Sequence, residues 1–320
     1  MTRTIHIIAP ANPMHKLSGE MLEIGKRQLN TLGFNVQYAT NAFAHAGHTA
    51  GTIEQRVEDI HEGLSDENVI ALMAVFGGYN SNQLLPHLDY NLIRSANKPI
   101  IGYSDITSLM VGIYSQTGIA SIHGPGFASF CDPNIFPEAL ISFTQLLLGN
   151  NQIQLQQPTF AADDLWYLKP EFGPRDTYEH PNWQAVRPGS ATGILLGGNL
   201  ETLLSLAGTV YFPDMQDKLL LIESNPDEKP GKFERELSQL QQLGVLSVVN
   251  GILIGQFKKD SALTSLQLMT EIFERVMPDS KVPVWMNISA SHVDPILSLP
   301  IGKEVLISDE KSVCSLYISP

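Results

Sequence analysis

Cysteine is scarce in this chain, with only Cys131 and Cys314 among 320 residues. The two lie far apart and outside any Cys-x-x-Cys spacing, so the sequence predicts neither a disulfide framework nor a zinc ribbon. Two buried or idle thiols are the simpler interpretation. We expect no metal and no cofactor.

Positive charge is also in short supply. Lys and Arg number 20 against 33 Asp and Glu, which gives a net charge of -13. Such a protein repels phosphate backbones and anionic lipid surfaces, so neither a nucleic acid polymer nor a membrane is an expected partner.

Long apolar runs are missing as well. The first one, Ile5 to Ala9, stops at Pro10 and is too short for a signal-peptide core, and no later run could cross a bilayer. We therefore expect a cytoplasmic protein. The 43% hydrophobic and 17% charged residues are typical of an ordinary folded protein. The length favours two domains, each able to bury its own core.

Short apolar runs alternate with amphipathic segments through the first half, a pattern typical of βα units around a mostly parallel sheet. A helix is predicted from Met21 to Leu32 with Gly33 as its end signal, and Thr52 with Gln55 forms a capping box for the next. The predicted strands here are Ile5 to Ala9, Phe34 to Tyr38, Val69 to Phe76, Pro99 to Tyr103 and Ile119 to His123.

This periodicity is lost between Gln157 and Trp183, where four prolines interrupt a polar segment that contains aromatic residues. A second α/β region follows, and its tail, from Leu297 to Ile318, alternates like antiparallel strands. We predict an N-terminal domain at 1–156, a linker or substrate loop at 157–185 and a C-terminal domain at 186–320. The strands predicted in the second region are Gly193 to Leu196, Lys218 to Ile222, Gly251 to Gln256 and Val282 to Met286, and its helices are Lys232 to Leu243 and Leu263 to Val276.

Ser104 stands where an apolar strand turns directly into a helix. Backbone N–H groups and the helix dipole at such a turn stabilise an oxyanion, which is the logic of a nucleophile elbow. Serine is equally suited to capping the helix, and the local sequence alone favours that role. Ile106 is larger than the residue that an α/β-hydrolase elbow requires at this position, so that fold is disfavoured.

Three other segments offer polar groups at turns. Gly77 and Gly78 end a strand and permit close backbone approach, either as part of an oxyanion hole or as a tight turn, and Asn80 follows as a cap or a cleft wall. Glu223 ends an apolar strand, at the sheet edge where ligands of α/β proteins bind, and His292 lies in a turn-prone segment. A serine, an acid and a histidine are the parts of a triad, although many chains offer them by chance.

The order and the residue sequences of these segments resemble those of the serine peptidase family of LD-carboxypeptidases and microcin C immunity peptidases. The resemblance spans nearly the whole chain. Its parts are Ile8-Ala-Pro, Gly77-Gly-Tyr-Asn-Ser-Asn-Gln-Leu-Leu-Pro-His-Leu-Asp-Tyr, Ile101-Gly-Tyr-Ser-Asp-Ile-Thr, His123-Gly-Pro, Gly197-Gly-Asn-Leu-Glu-Thr-Leu, Leu221-Ile-Glu and His292-Val-Asp-Pro-Ile-Leu-Ser-Leu-Pro-Ile-Gly.

The resemblance implies a catalytic triad of Ser104, Glu223 and His292, with an oxyanion hole formed by the backbone N–H groups of Gly78 and Asp105. It also implies an α/β fold: an open, Rossmann- or flavodoxin-like parallel sheet in the N-terminal domain, and a mixed C-terminal domain with a barrel-like sheet. The cleft would lie between the domains. A homodimer is the implied assembly.

The residue sequence of the Gly77 segment and the aromatic insertion resemble the microcin-immunity branch more than the peptidoglycan-recycling branch. In the microcin-immunity branch an aromatic loop stacks on the nucleobase of a peptidyl-nucleotide. Trp166, Trp183, Asn80 and Asn199 are the candidate substrate contacts, while loop packing is the competing interpretation of both tryptophans. A small peptide or peptidyl-nucleotide is the expected substrate. Two alternatives remain open: an LD-carboxypeptidase that releases D-alanine from murein tetrapeptide, and a non-catalytic binder of small ligands.

Overall fold

The computed structural model describes residues 3–149, 152–310 and 313–319. Its strands, in chain order, are β1 (Thr4–Ile8), β2 (Asn35–Tyr38), β3 (Val69–Ala74), β4 (Ile100–Gly102), β5 (Ser121–His123), β6 (Ile153–Leu155), β7 (Phe160–Ala161), β8 (Tyr178–Glu179), β9 (Gln184–Arg187), β10 (Ala191–Asn199), β11 (Leu219–Glu223), β12 (Gly251–Gly255), β13 (Val284–Ile288), β14 (Leu299–Ile301), β15 (Glu304–Glu310) and β16 (Val313–Ile318).

Helices separate most of these strands, and short 3-10 turns adjoin several of them. In chain order the α-helices are α1 (Gly19–Thr31), α2 (Ile53–Ser65), α3 (Tyr90–Ala96), α4 (Thr107–Thr117), α5 (Phe127–Phe130), α6 (Pro137–Leu148), α7 (Leu200–Leu204), α8 (Pro230–Gln242), α9 (Val245–Val248) and α10 (Leu266–Val276).

The first sheet has six strands in the order β14-β5-β4-β3-β1-β2. The strands from β1 to β5 are parallel to their neighbours, and β14 pairs antiparallel with β5. All five residues of β1 are buried, because helices cover both faces of a parallel sheet. The parallel N-terminal sheet predicted from the sequence is confirmed.

The second sheet has eight strands in the order β6-β16-β15-β10-β11-β12-β13-β9. Its centre, β10 to β13, is parallel, and antiparallel strands flank it on both sides. This mixed sheet confirms the mixed α/β prediction. The antiparallel tail is also as predicted, with β15 and β16 forming a hairpin.

Two strands cross between the halves of the chain. β6, from the first half, pairs with β16 in the second sheet, and β14, from the second half, extends the first sheet. The two sheets are therefore linked by strand exchange at β6 and at β14. The domain boundaries stay a prediction.

The capping box predicted for the second helix is present, and a serine that was not predicted caps the first. Ser18 caps α1 by accepting a hydrogen bond from the backbone of Met21, and Thr52 with Gln55 forms the expected capping box of α2. Each contact satisfies a backbone N–H that a first helical turn leaves unpaired, at a stabilisation of about 1 kcal/mol. Between β6 and β9 the chain forms two 3-10 turns, the short antiparallel pair β7–β8 and a single bridge from Ala162 to Asp294.

Helix α4 lies where the two sheets meet. The backbone N–H of Asn199, at the end of β10, donates to the hydroxyl of Thr107 at the start of α4 (2.9 Å). Gly198 has a positive φ of 142°, and a side chain there would collide with Thr107. Only glycine allows β10 to approach this helix so closely.

The structure also bears on the predictions for membrane-spanning segments and for the cysteines. No helix among the described residues is long and apolar enough to cross a membrane. Cys131 is a free, buried thiol, and burial raises its pKa to about 12. The side chain of Cys314 lies outside the described residues.

Candidate active site

Ser104 occupies a strained turn between β4 and α4. Its φ of 62° lies in the left-handed region, which costs a non-glycine residue roughly 1 kcal/mol or more. Its side chain makes no capping hydrogen bond, and α4 itself starts three residues later. The capping interpretation of this serine is therefore wrong, and the backbone holds its hydroxyl toward a cleft between the sheets.

The glycine pair after β3 lies against this serine. A Cβ atom added to Gly77 would lie 2.7 Å from Ser104 Cβ and 2.8 Å from its hydroxyl oxygen. The Gly77 carbonyl accepts a hydrogen bond from the Asn12 N–H (3.2 Å), which fixes the orientation of the peptide that carries the Gly78 N–H. Within the described part of the chain, neither the Gly78 N–H nor the Asp105 N–H has a hydrogen-bond acceptor.

The Asp105 side chain ties the serine turn to the glycine turn. Its carboxylate accepts hydrogen bonds from the backbone N–H groups of Asn80 (3.0 Å) and Ser81 (2.9 Å), while the Ser81 hydroxyl donates to the Asp105 carbonyl (2.7 Å). The buried Arg56 guanidinium reinforces this link by donating to the carbonyls of Pro10 and Asn80. Burial raises the pKa of Asp105, although these donors oppose the shift.

Glu223 and His292 form a buried pair from the second sheet. Glu223 ends β11 and is 0% exposed, and its Oε2 lies 2.7 Å from Nδ1 of His292. Burial disfavours the imidazolium, but the Glu223 carboxylate outweighs that penalty and raises the pKa of His292 above its usual value. Because Nδ1 is engaged by the carboxylate, Nε2 is left to exchange a proton with another group.

A cleft of about 270 Å³ brings these groups together. Ser104, Gly77, Gly78 and His292 all line it. Ser104 and His292 make no direct hydrogen bond here, which is common for catalytic pairs before substrate binds. The cleft holds the parts required for acyl transfer: a hydroxyl, an imidazole oriented by an acid, and unpaired backbone donors.

A second hollow, of about 390 Å³, continues the cleft past His292. Trp166 and Tyr167 of the 157–185 loop line it together with Tyr103 and Asp294. Trp166 packs edge-on against Tyr167 and close to Phe172, so its indole is supported while it faces the hollow. This tryptophan is therefore available to a substrate.

The other predicted substrate contacts lie elsewhere. Trp183 is only 5% exposed, packs into the core and donates its indole N–H to Ser289, so this buried side chain is withdrawn from the candidate contacts. Asn80 is buried beneath the glycine turn, and Asn199 caps α7. Neither lines the cleft, although Asn199 touches Asn225, which does.

Asn225 and Tyr103 also line the cleft, although neither was predicted from the sequence to do so. Both lie within two positions of a predicted triad member along the chain, since Asn225 follows Glu223 by two positions and Tyr103 directly precedes Ser104. The ring of Tyr103 also packs edge-on against His292, with the centroids 5.1 Å apart. Their closeness in sequence to the ends of strands was the signal that could have identified them.

Two family models match this chain, the LD-carboxypeptidase N-terminal domain over residues 5–124 and the LD-carboxypeptidase C-terminal domain over residues 192–307. The chain belongs to the LD-carboxypeptidase family. The resemblance noted in the sequence is thereby confirmed, and the protein is a serine peptidase. The matched segments contain all three predicted triad residues.

Curated relatives of this LD-carboxypeptidase family member carry different names. A Bacillus subtilis protein named as a carboxypeptidase, YocD, is 36% identical over 93% of this chain and 91% of its own length. The microcin C7 self-immunity protein MccF of Escherichia coli is 30% identical, over 85% and 81% of the two chains. The murein tetrapeptide carboxypeptidase of Pseudomonas aeruginosa is 26% identical, over 96% and 94%.

Solved structures agree with the fold. The MccF-like protein of Bacillus anthracis superposes with a TM-score of 0.94 at 33% identity, covering 99% of this chain and 97% of its own. MccF in complex with aspartyl sulfamoyl adenosine superposes with a TM-score of 0.90 at 27% identity, covering 100% and 96%.

Replacing Gly77 with alanine should impair this enzyme. The new Cβ would collide with the Ser104 side chain, so either the serine or the glycine turn must shift, and a displacement near 1 Å lowers a catalytic rate by about a hundredfold. Steady-state hydrolysis rates measure this. Gly231→Ala is the matched control, because a Cβ there meets no atom within 4 Å. Equal activity of the two variants would contradict the close contact.

The raised pKa of His292 predicts a pH dependence. Protonated His292 cannot accept the serine proton, so kcat/KM should fall as the pH drops through a pKa above the ordinary value of 6.5. In Glu223→Gln the carboxylate charge is gone while burial remains, so the inflection should move to lower pH. The maximal rate should also fall, by up to about 10⁴-fold.

Profiles of kcat/KM against pH for the two proteins measure both effects. Glu234→Gln is the control, since Glu234 is a carboxylate that pairs with an arginine at the surface. An inflection that stays in place in Glu223→Gln would show that His292 does not control the rate.

Proposed function

We propose that this peptidase is a carboxypeptidase or amidase that hydrolyses an amide bond through a Ser104–His292–Glu223 triad and an acyl-enzyme. The observation that carries the proposal is the 2.7 Å contact between buried Glu223 and His292, whose imidazole lines the same cleft as the left-handed Ser104.

In the proposed mechanism His292 Nε2 accepts the hydroxyl proton as Ser104 Oγ attacks the amide carbonyl. The N–H groups of Gly78 and Asp105 then stabilise the developing oxyanion, and each such donor contributes roughly 3 kcal/mol to catalysis. His292 returns the proton to the leaving amine. Water, activated by the same imidazole, releases the acyl group from Ser104.

Glu223 has an electrostatic task in this scheme. Its buried carboxylate holds the imidazole in the tautomer that leaves Nε2 free, and it stabilises the positive charge that forms when His292 takes the proton. The low exposure of the pair strengthens this interaction relative to one in water. The Glu223 side chain need not itself gain a proton.

Removing the nucleophile tests the proposal. Ser104→Ala should lower amide hydrolysis by roughly 10⁶-fold while the fold is kept, because the half-exposed hydroxyl forms no structural hydrogen bond. Turnover of purified protein and labelling by a fluorophosphonate probe are the measurements. Ser238→Ala is the matched control, since that hydroxyl only contacts a carbonyl within α8.

The competing hypothesis of a non-catalytic binder predicts that the fluorophosphonate probe does not label Ser104. A wild-type protein whose Ser104 is not labelled by the probe, under conditions where a related peptidase reacts, would support that alternative. It would overturn the serine mechanism.

For the substrate we propose a peptidyl-adenylate-like molecule, as in microcin immunity. Trp166 faces the hollow beside His292, and stacking of a base on an aromatic ring is worth about 1 to 3 kcal/mol. The fold neighbour MccF binds an aminoacyl sulfamoyl adenosine, which combines an amino acid with a nucleoside. A similar ligand would place its base on Trp166 and its amide near Ser104.

The role of Trp166 is testable by substitution. Trp166→Ala should raise KM for a peptidyl-adenylate analogue by about tenfold or more, because the stacking energy is lost. Phe160→Ala is the matched control, since Phe160 is a half-exposed aromatic residue of the same loop and lines neither hollow. An unchanged KM in Trp166→Ala would remove this residue from the binding site.

A second candidate function is release of D-alanine from murein tetrapeptide during peptidoglycan recycling. It is favoured by a relative that carries the murein tetrapeptide carboxypeptidase name and aligns over nearly the whole chain. Side-by-side rates on the tetrapeptide and the adenylate analogue separate the two candidates. Preference for the tetrapeptide would overturn the microcin-type assignment.

Three organisational proposals accompany the function. We retain the domains at 1–156 and 186–320 with the loop at 157–185 between them, a homodimeric assembly and a cytoplasmic location. The two family models, which stop and start on either side of the loop, support the first.

A further inference from the structure

The 157–185 loop carries one buried arginine whose contacts reach beyond the loop. The side chain of Arg175 is 4% exposed, and each of its three nitrogens donates to a different carboxylate. Nε binds Asp164 at 2.8 Å, one terminal nitrogen binds Asp132 at 2.7 Å and the other binds Asp294 at 2.9 Å. We call these four residues the Arg175 cluster.

The three carboxylates come from three separate parts of the chain. Asp132 follows α5 in the first half, and its carbonyl is held by the Gln28 side chain of α1 (2.6 Å). Asp164 belongs to the loop itself. Asp294 lies two residues after His292. One guanidinium therefore connects the first half of the molecule, the loop and the segment that carries the catalytic histidine.

The segment around His292 is anchored on both sides. Before the histidine, the Ser291 hydroxyl donates to the Gln256 carbonyl at the end of β12 (2.7 Å). After it, Asp294 exchanges two backbone hydrogen bonds of 2.9 Å with Ala162 of the loop. The second anchor depends on the loop, and Arg175 fixes that loop.

The chemistry of the cluster requires arginine. Only a guanidinium presents five donors in a planar fork that can serve three carboxylates at once, whereas a lysine ammonium is a single point charge. Asp164 has a second cation, Lys169, at 2.7 Å, but Asp132 and Asp294 have no other ion-pair partner among the described residues. Loss of Arg175 would leave the buried Asp132 and the partly buried Asp294 without a counterion, and their carboxylates would repel one another.

We propose that Arg175 is a positioning residue that binds the 157–185 loop to both sides of the cleft and so holds His292 in register with Ser104. The proposal rests on the triad proposed above. Arg175 itself touches no reacting atom. Its effect passes through Asp294 and the backbone bridge to Ala162.

The test compares Arg175→Met and Arg175→Lys with wild type. The substrate is p-nitrophenyl acetate, a small ester that lacks the peptide and nucleoside portions of the proposed substrate, so that the loss of loop contacts with those portions does not affect the result. We expect kcat to fall by about a hundredfold in Arg175→Met with KM little changed, because a misplaced general base slows the chemical step. Arg175→Lys, which keeps one ion pair, should recover part of the rate.

Arg275→Met is the matched control. Arg275 also forms a two-bond ion pair with a carboxylate, Glu234, but at the surface and away from the cleft. Its kcat should stay within roughly twofold of wild type. If Arg175→Met does not fold, Asp294→Asn replaces it, since this change weakens the link between Arg175 and the His292 segment and should lower kcat without unfolding the chain.

Hydrogen exchange gives a readout that needs no activity. In Arg175→Met, made in the Ser104→Ala background, the amides of residues 159–164 and 290–297 should exchange faster than in the parent. Unchanged exchange there, or a kcat equal to that of Arg275→Met, would overturn the proposal. If wild type hydrolyses neither ester nor amide but the exchange result holds, the proposed function fails while the structural link stands.

Discussion

The buried carboxylate of Glu223 constrains the rest of the site. A carboxylate removed from water is costly unless a cation or hydrogen-bond donor compensates it, and His292 is the donor at 2.7 Å. This pairing fixes the imidazole against the end of β11, on the second sheet. The hydroxyl that the imidazole must serve lies on the first sheet, so the cleft works only while the two sheets keep their relative position.

The contacts between the sheets are consistent with that requirement. β6 and β14 each leave their own half of the chain and join the other sheet, which ties the halves at two distant points. Gly198 lets β10 press against α4, the helix that follows Ser104. Each contact restrains a strand or a helix rather than a loop. This suits a catalytic site, because its groups must keep their positions to well under an ångström.

Much of this could be predicted from the sequence, because it rests on local signals. Apolar runs gave the strands, and Thr52 with Gln55 gave a helix start, since both depend on neighbours a few residues away. The Glu223–His292 pair was recognisable only from the order of several motifs. The crossing of β6 and β14 and the ion pair between Arg175 and Asp294 join residues more than a hundred positions apart, and no local pattern encodes them.

The two tryptophans of the loop region show why burial cannot be read from residue type. Trp166 and Trp183 stand in the same irregular, proline-rich segment, and both suit either stacking or packing. Trp183 immediately precedes β9, so its indole is drawn into the core and donates to Ser289. Trp166 precedes Arg175 in a part of the loop that ion pairs hold, and this arrangement leaves its face open to the hollow. The exposure of Trp166 to the hollow therefore depends on how ion pairs fix the loop, and not on its aromatic composition.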